Sequence, residues 1–272
     1  MIQTARAKAL RTSPERQFQM RPAKYPYLEH GGVLAFAHRG GALEAPENTM
    51  KAFDYAVSLG YRYLETDAYA TADGVLVSFH DPRLDRITDS SGLLETLPFA
   101  AVQRARIAGT EPIALMEDLL TRWPDVRINI DPKHDAAVGP LVQLIKRVGA
   151  EERVCIGSFS DSRIRQVQHA FDGRVCTSLG PAGILRLKSA SFGLGGGAWR
   201  EGCAQVPVAA RGVTIVSPRL VRAAERRGLQ VHVWTIDDET EMNRLLDLGV
   251  HGIMTDRPAL LKRVLQARGL WA

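Results

Sequence analysis

The sequence predicts a parallel (β/α)8 barrel, an α/β fold of the TIM type, with a small insertion after the third strand. Three observations lead there. Short β-rich runs alternate with amphipathic helical segments from about residue 33 to the C-terminus, and serial βα units imply a parallel sheet with right-handed crossovers. About eight such units in roughly 240 residues suit a closed barrel. No G-x-G-x-x-G follows the first strand, which argues against the rival fold, an open doubly wound sheet.

Taken in order, the predicted strands are residues 33–37 (VLAFA), 61–67 (YRYLETD), 75–80 (VLVSFH), 126–131 (VRINID) and 153–159 (RVCIGSF). After them come 174–179 (RVCTSL), 204–208 (AQVPV), 231–236 (VHVWTI) and 252–255 (GIMT). Nine is one too many for the barrel. ATADGV reads as a tight turn between the second and third, which places one of those two outside the regular pattern. In NTMKAFDYAVSLG, Met50, Phe53 and Val57 share a helical face, Asn48 or Thr49 caps the start and Gly60 ends it. SPRLVRAAERRG repeats the plan with Ser217 as cap, Pro218 in the first turn and Gly228 as stop. DDETEMNRLLDLG places acids in its first turn, where the helix dipole favours them.

Two segments break the alternation. Residues 81–112 hold turn signals and a weak helix, and read as an inserted lid or subdomain. Residues 191–202, SFGLGGGAWREG, lack the Lys and Ser/Thr of a phosphate-binding loop and read as a flexible connection.

Residues 1–30 form a basic arm ahead of a single domain, 31–272. The arm carries Arg6, Lys8, Arg11, Arg16, Arg21 and Lys24 against Glu15 and Glu29, a net of +4, whereas the whole chain is +5. The domain is therefore almost neutral. Such an arm offers at most weak peripheral contact with a polyanion or anionic lipid, and specific nucleic-acid binding is not expected. No apolar run reaches the roughly 18 residues of a membrane span, and the N-terminus lacks the apolar stretch of a secretory signal. Cys155, Cys176 and Cys203 are an odd number without C-x-x-C spacing, each in or beside a strand. They read as small hydrophobes in a reducing, cytoplasmic compartment.

In a parallel barrel the strand C-termini converge on one mouth, so the polar residues ending each strand carry the chemistry. The first ends in His38-Arg39, followed by Gly40 and Gly41, which would let a substrate approach the backbone. The second ends in Glu65-Thr66-Asp67, with Glu65 and Asp67 on one face. The third ends in His80-Asp81. The next presents Asn129, Asp131 and Lys133 on one side and isoleucines on the other. Later strands add Ser158, Ser160, Gln205, Trp234, Thr255 and Asp256. Individually each has a bland reading: a strand-end acid caps a helix, Trp234 fills core, and His134, His169 and His251 are surface or packing residues. Convergence decides between them. Three carboxylates buried together without a cation would be very costly. An all-oxygen set with no cysteine or H-x-x-H pattern selects a hard divalent ion, Mg2+ or Ca2+. Arg39 and Lys133 suit a phosphate, and His38 and His80 a general acid and base. Together they describe phosphoryl transfer.

The segments AHRGG…PENT…AF, LETD, ADGVLVSFHDPRLDRITDSSG, NIDPK, GSF and VHVWTIDD…DLGVHGIMTDRP resemble, in order from about residue 30 to the C-terminus, the glycerophosphodiester phosphodiesterases of the phospholipase-C-like superfamily. The resemblance implies hydrolysis of a small glycerophosphodiester to glycerol 3-phosphate and an alcohol. It makes His38 and His80 catalytic, Glu65, Asp67 and Asp131 metal ligands, and Arg39 and Lys133 phosphate contacts. Trp234 becomes an aromatic at the mouth, and 81–112 the family's insertion. Glu47 either reaches the metal or stabilises the first helix. The chain departs from the pattern at Phe79, between Ser78 and His80, and at Asp131, where many relatives carry Glu. The Asp also resembles the sphingomyelinase D branch. A lysophospholipid or sphingolipid phosphodiesterase is accordingly the alternative, and it requires an apolar entrance beside the mouth. A non-catalytic binding protein working through the basic arm is a third reading.

Overall fold

The computed structural model describes residues 23–271. Thirteen strands occur among them. In chain order they are β1 (Leu34–His38), β2 (Tyr63–Ala70), β3 (Leu76–Ser78), β4 (Arg106–Ile107), β5 (Glu111–Pro112), β6 (Arg127–Pro132) and β7 (Val154–Ile156). They continue with β8 (Cys176–Thr177), β9 (Cys203–Pro207), β10 (Ala209–Ala210), β11 (Val213–Thr214), β12 (Gln230–Trp234) and β13 (Gly252–Thr255). Eight of these pair in parallel in the order β8-β7-β6-β2-β1-β13-β12-β9. Between β8 and β9 the ring closes through one isolated bridge, Ser178 to Cys203. The architecture is the predicted (β/α)8 barrel.

Alternation along each strand sorts the residues into two environments. Leu64, Ile128, Ile130, Val154, Val231, Val233 and Ile253 face outward and are fully buried against the helices. Burial of side chains of this size contributes roughly 1.5–3 kcal/mol each. Inside, the lower half is aromatic and sulfurous, with Phe36, Tyr63 and the three cysteines. The upper half is polar. The helix Met50–Ser58 is capped by Thr49, whose hydroxyl accepts from Ala52 N–H, and the helix Pro218–Glu225 by Ser217.

Two boundaries differ from expectation. β3 pairs antiparallel with β2, Ala68 opposite Ser78 and Ala70 opposite Leu76. It is the ninth, surplus strand, and the insertion thus begins at the hairpin after β2 rather than at residue 81. The insertion packs around its own small core of Tyr69, Val77, Phe79, Leu84, Leu94, Val102 and Ile107. The arm's predicted boundary at residue 30 also moves. Tyr25, Tyr27 and Leu28 are buried against Phe36 and Tyr63 and plug the barrel floor, where the Tyr63 hydroxyl donates to Tyr27 O (2.9 Å). Residues 1–22, which hold most of the arm's charge, lie outside the described residues.

His251 ties β12 to β13: its Nδ1 accepts from Val231 N–H (3.0 Å). Burial, with His232 nearby, drops its pKa from 6.5 to about 4. A histidine held neutral in this way contributes stability that is complete above pH 6.5 and is lost as pH falls toward 4, in all on the order of 3 kcal/mol. Asparagine can place Oδ1 where Nδ1 sits. Urea unfolding of His251→Asn should therefore lose about 3 kcal/mol less than the wild type between pH 6.5 and 4; parallel profiles would refute this role.

Candidate active site

The polar upper half of the barrel opens into a cavity of about 840 Å3 lined by His38, Arg39, Glu65, Asp67, His80, Asn129, Asp131, Lys133, Gln205 and Trp234, among others. Every residue predicted to be catalytic, metal-binding or substrate-binding lines it except Glu47, whereas the strand-end residues Asp81, Ser160, Thr255 and Asp256 do not.

Strand register places the acids. Glu65 is opposite Asn129 and Asp67 opposite Asp131 on the neighbouring strands β2 and β6. Glu65 and Asp67 are 5% and 1% exposed. Lys133, just past β6, puts Nζ 2.7 Å from Asp67 Oδ1 and 2.8 Å from Asp131 Oδ2. His80 arrives by a different route from the one expected. β3 runs back down against β2, with Phe79 N–H donating to Asp67 O (3.0 Å), so the antiparallel strand lowers His80 onto the mouth.

The turn after β1 depends on backbone freedom. Arg39, Gly40 and Gly41 all have positive φ, of 51°, 82° and 106°. A Cβ on Gly40 would lie 2.7 Å from Ala52 Cβ, and one on Gly41 2.7 Å from Pro258 Cδ. These glycines therefore admit the two flanking helices, rather than a substrate as expected from sequence. The turn directs Arg39 N–H to Glu65 Oε2 (3.1 Å) and its guanidinium to Glu47 (3.0 Å) and Asp67 (3.1 Å).

Both histidines are held alike. His38 Nδ1 meets Asp256 Oδ1 at 2.7 Å and His80 Nδ1 meets Asp81 Oδ1 at 2.6 Å. Ionised carboxylates only accept, so each Nδ1 carries a proton and each Nε2 is left for chemistry. Asp256 is in turn fixed by Asp237, whose Oδ1 accepts from Asp256 N–H (2.7 Å) and the Thr255 hydroxyl (2.9 Å). Glu47 accepts from Arg86 at 3.0 and 2.7 Å as well as from Arg39, and Arg86 Nε also binds Asp81. Glu47 thus sits between two guanidiniums and links the His80–Asp81 pair to Arg39, instead of stabilising the first helix.

The charges are mutually dependent. Burial pushes the Glu65 carboxyl up to about 7, against the opposing pull of His38. Burial would also raise Asp67, but Lys133, Arg39 and His80 outweigh it and the net direction is down. Asp131 is raised by burial and only partly offset by Lys133. Burial opposes the charge on His38 as well, yet Glu65 and Asp256 raise its pKa.

The predicted ligand set fits a hard cation in donor chemistry: three inward carboxylates, with Glu65 lacking any Lys or Arg side-chain partner among the ion pairs of the described residues. The three acids do not already converge. Their oxygens are not all within 4.8 Å of one another, and Lys133 stands between two of them.

The role of Asn48 is legible only in three dimensions. Asn48 is fully buried at φ 57°, donates to Asp67 Oδ2 (3.0 Å) and accepts from Thr66 (2.9 Å) and Ser78 (3.0 Å). From sequence it reads as a helix cap; Thr49 takes that role. Gln205 donates to Asn129 Oδ1 (2.7 Å) over Gly157, where a Cβ would lie 2.8 Å from Gln205 Oε1. Trp234 packs edge-on against Phe159, ring centroids 5.7 Å apart.

Residues 38–260 match the profile of the Glycerophosphoryl diester phosphodiesterase family. The "Probable glycerophosphodiester phosphodiesterase 2" of Mycobacterium tuberculosis is 43% identical over 251 residues, covering 90% of this chain and 95% of that protein. A glycerophosphodiester phosphodiesterase structure from Agrobacterium tumefaciens is 21% identical with a TM-score of 0.71, covering 85% of this chain and 99% of that one. An Oleispira antarctica phosphodiesterase solved in complex with the product sn-glycerol-3-phosphate is 19% identical with a TM-score of 0.73, covering 86% and 97%.

Asp256→Asn removes the charge that orients His38 while keeping its shape. The variant should lower kcat roughly 10- to 100-fold with little change in KM, and the His38 pKa read by NMR should fall. Unchanged kcat would show that Asp256 is only a helix-terminus residue.

Proposed function

This chain belongs to the glycerophosphoryl diester phosphodiesterase family and is a glycerophosphodiester phosphodiesterase, and from that premise we propose a chemical role for each group at its mouth. Water adds to the phosphorus of the diester, the bond from phosphorus to the alcohol oxygen breaks, and glycerol 3-phosphate and the free alcohol leave. One of the two free Nε2 atoms, on His38 or His80, takes the proton of the attacking water, and the other, protonated, donates to the departing oxygen. Arg39 orients the phosphoryl oxygens through its planar fork, and Lys133 adds a point charge.

Glu65, Asp67 and Asp131 would hold a divalent cation, Mg2+ or Ca2+. Such an ion, when bound, supplies charge neutralisation at the phosphoryl oxygens and lowers the pKa of water. Lys133 and Arg39 already compensate Asp67, so Glu65 is the carboxylate that most needs such an ion. The observation that carries the reading is the matched pair of histidines. Both have Nδ1 pinned by aspartate, and both face the one cavity that also holds two cations and three acids.

No helix of the described residues is long and apolar enough to cross a membrane. We place the enzyme in the cytoplasm on the strength of its three unpaired cysteines.

One observation favours a second reading of the substrate. Part of the cavity wall is apolar, formed by Phe159, Leu179, Ile184, Leu185, Val213 and Ile215. Phe159, Leu185 and Val213 are 71%, 69% and 58% exposed. An acyl chain attached to the glycerol would cover them, which makes a lysophospholipid the second substrate reading beside the small glycerophosphodiester, with the same bond broken.

Release of choline from glycerophosphocholine tests the reaction. His38→Ala and His80→Ala should each lower kcat by about 100- to 10,000-fold while the protein stays folded; an active His38→Ala would overturn the acid–base assignment. For the substrate, Leu185→Asp should raise KM for lysophosphatidylcholine about tenfold and leave that for glycerophosphocholine unchanged. Equal effects on both would remove the lipid reading.

A further inference from the structure

Beneath the mouth, the barrel interior holds a second convergent cluster that the reaction does not use. Cys155, Cys176 and Cys203 come from the successive strands β7, β8 and β9 and are at most 1% exposed. Cys155 and Cys176 are register partners, and Cys203 forms the bridge that closes the ring. All three sulfurs lie within 4.8 Å of one another, with Cys155 Sγ and Cys203 Sγ 3.8 Å apart. Sulfurs each about 2.3 Å from a shared ion stand roughly 3.8–4.0 Å from one another.

A buried histidine independently points to a ligand. Gln230 Nε2 donates to Leu28 O (3.0 Å), which turns its Oε1 toward His232 Nε2 (3.1 Å). His232 Nε2 must therefore carry the ring proton. Nδ1 is left as a bare lone pair, fully buried and without a hydrogen-bond partner. Gly252 makes room for this ring, since a Cβ there would lie 2.9 Å from His232 Cδ2. Nδ1 falls outside the mutual span of the three sulfurs but faces Cys203.

We propose that Cys155, Cys176 and Cys203 form a three-sulfur site for a soft monovalent d10 cation of the Cu(I) class, which clips together the weakest seam of the barrel. Thiolate donors select such ions over hard ones. Zinc is disfavoured because structural zinc takes four ligands, and no fourth His, Cys, Asp or Glu among the described residues shares the span. Each sulfur that binds as thiolate releases its proton to the solvent buffer on loading. The location explains what the ion would do. β8 is two residues long and meets β9 through a single bridge, so an ion bonded to β7, β8 and β9 adds a tie where backbone pairing is thinnest. The floor plug seats directly on the site: a Cβ on Gly202 would lie 2.7–2.9 Å from Leu28, Tyr25 and Cys176 Sγ. Loading therefore precedes seating of the plug or requires it to lift.

The test is anaerobic titration of the fully reduced whole chain, both folded and during refolding, with Cu(I) presented as its bicinchoninate complex. The wild type should withdraw one equivalent per chain, show three Cu–S contacts by X-ray absorption, and unfold several degrees higher than the metal-free protein. Cys176→Ala and Cys203→Ala should each bind about tenfold or more weakly, with glycerophosphocholine turnover retained. Copper left with the chelator by both folded and refolded wild type would overturn the proposal, whether or not the variants fold. So would a Cys155→Ala, Cys176→Ala, Cys203→Ala triple variant that binds as much as the wild type, or a bound ion with nitrogen and oxygen neighbours instead of sulfur.

Discussion

Glu65, Asp67 and Asp131 are brought together by the pairing of β2 with β6, and the mouth is arranged around the cost of burying their charge. Two carboxylates at i and i+2 of one strand, with a third in register on its neighbour, cannot all remain ionised in a low-dielectric interior unless positive charge is supplied. Lys133 supplies it to Asp67 and Asp131, and Arg39 to Asp67. Among the described residues Glu65 receives only His38 and a backbone N–H, and burial pushes its carboxyl up to about 7. The cations therefore have a position dictated by the acids, and it is there that we propose the phosphodiester binds. The same electrostatic constraint that threatens the fold assembles the site.

Holding those cations requires a further layer. Arg39 is aimed by a left-handed turn whose two glycines let the flanking helices approach, and the insertion returns Arg86 to share Glu47. Through Arg86 and Asp81, the orientation of His80 is coupled to that of Arg39. The insertion thus fixes two side chains, His80 and Arg39, to which we assign roles in the reaction. Asp256 and Asp237 do the corresponding work for His38 from the opposite side of the ring.

Much of this was legible in the sequence because strand ends in a parallel barrel share one destination. His38, Arg39, Glu65, Asp67, Asp131, Lys133, Gln205 and Trp234 could be placed by period and position alone, and the surplus of one strand signalled an irregularity near ATADGV. What stayed hidden depended on partners distant in sequence. Arg86 sits in a turn-rich insertion with no periodicity to show which way it points. Asn48 looks like a helix cap because nothing local reveals that Asp67, Thr66 and Ser78 meet it. Asp256 is visible as a polar strand end, but its pairing with His38 needs the closure of β13 onto β1. Tyr25, Tyr27 and Leu28 follow a run of basic residues and share its apparent character until the barrel floor gives them somewhere to be buried.

We propose that the buried acids at the mouth are completed by a hard divalent ion. It is tested most directly by calorimetric titration of chelator-stripped protein with Mg2+ and Ca2+, with glycerophosphocholine turnover followed on the same samples. The expected result is one ion per chain, binding lost in Glu65→Gln, and turnover that vanishes on stripping and returns with the ion. Full turnover in stripped protein that binds neither ion would contradict it.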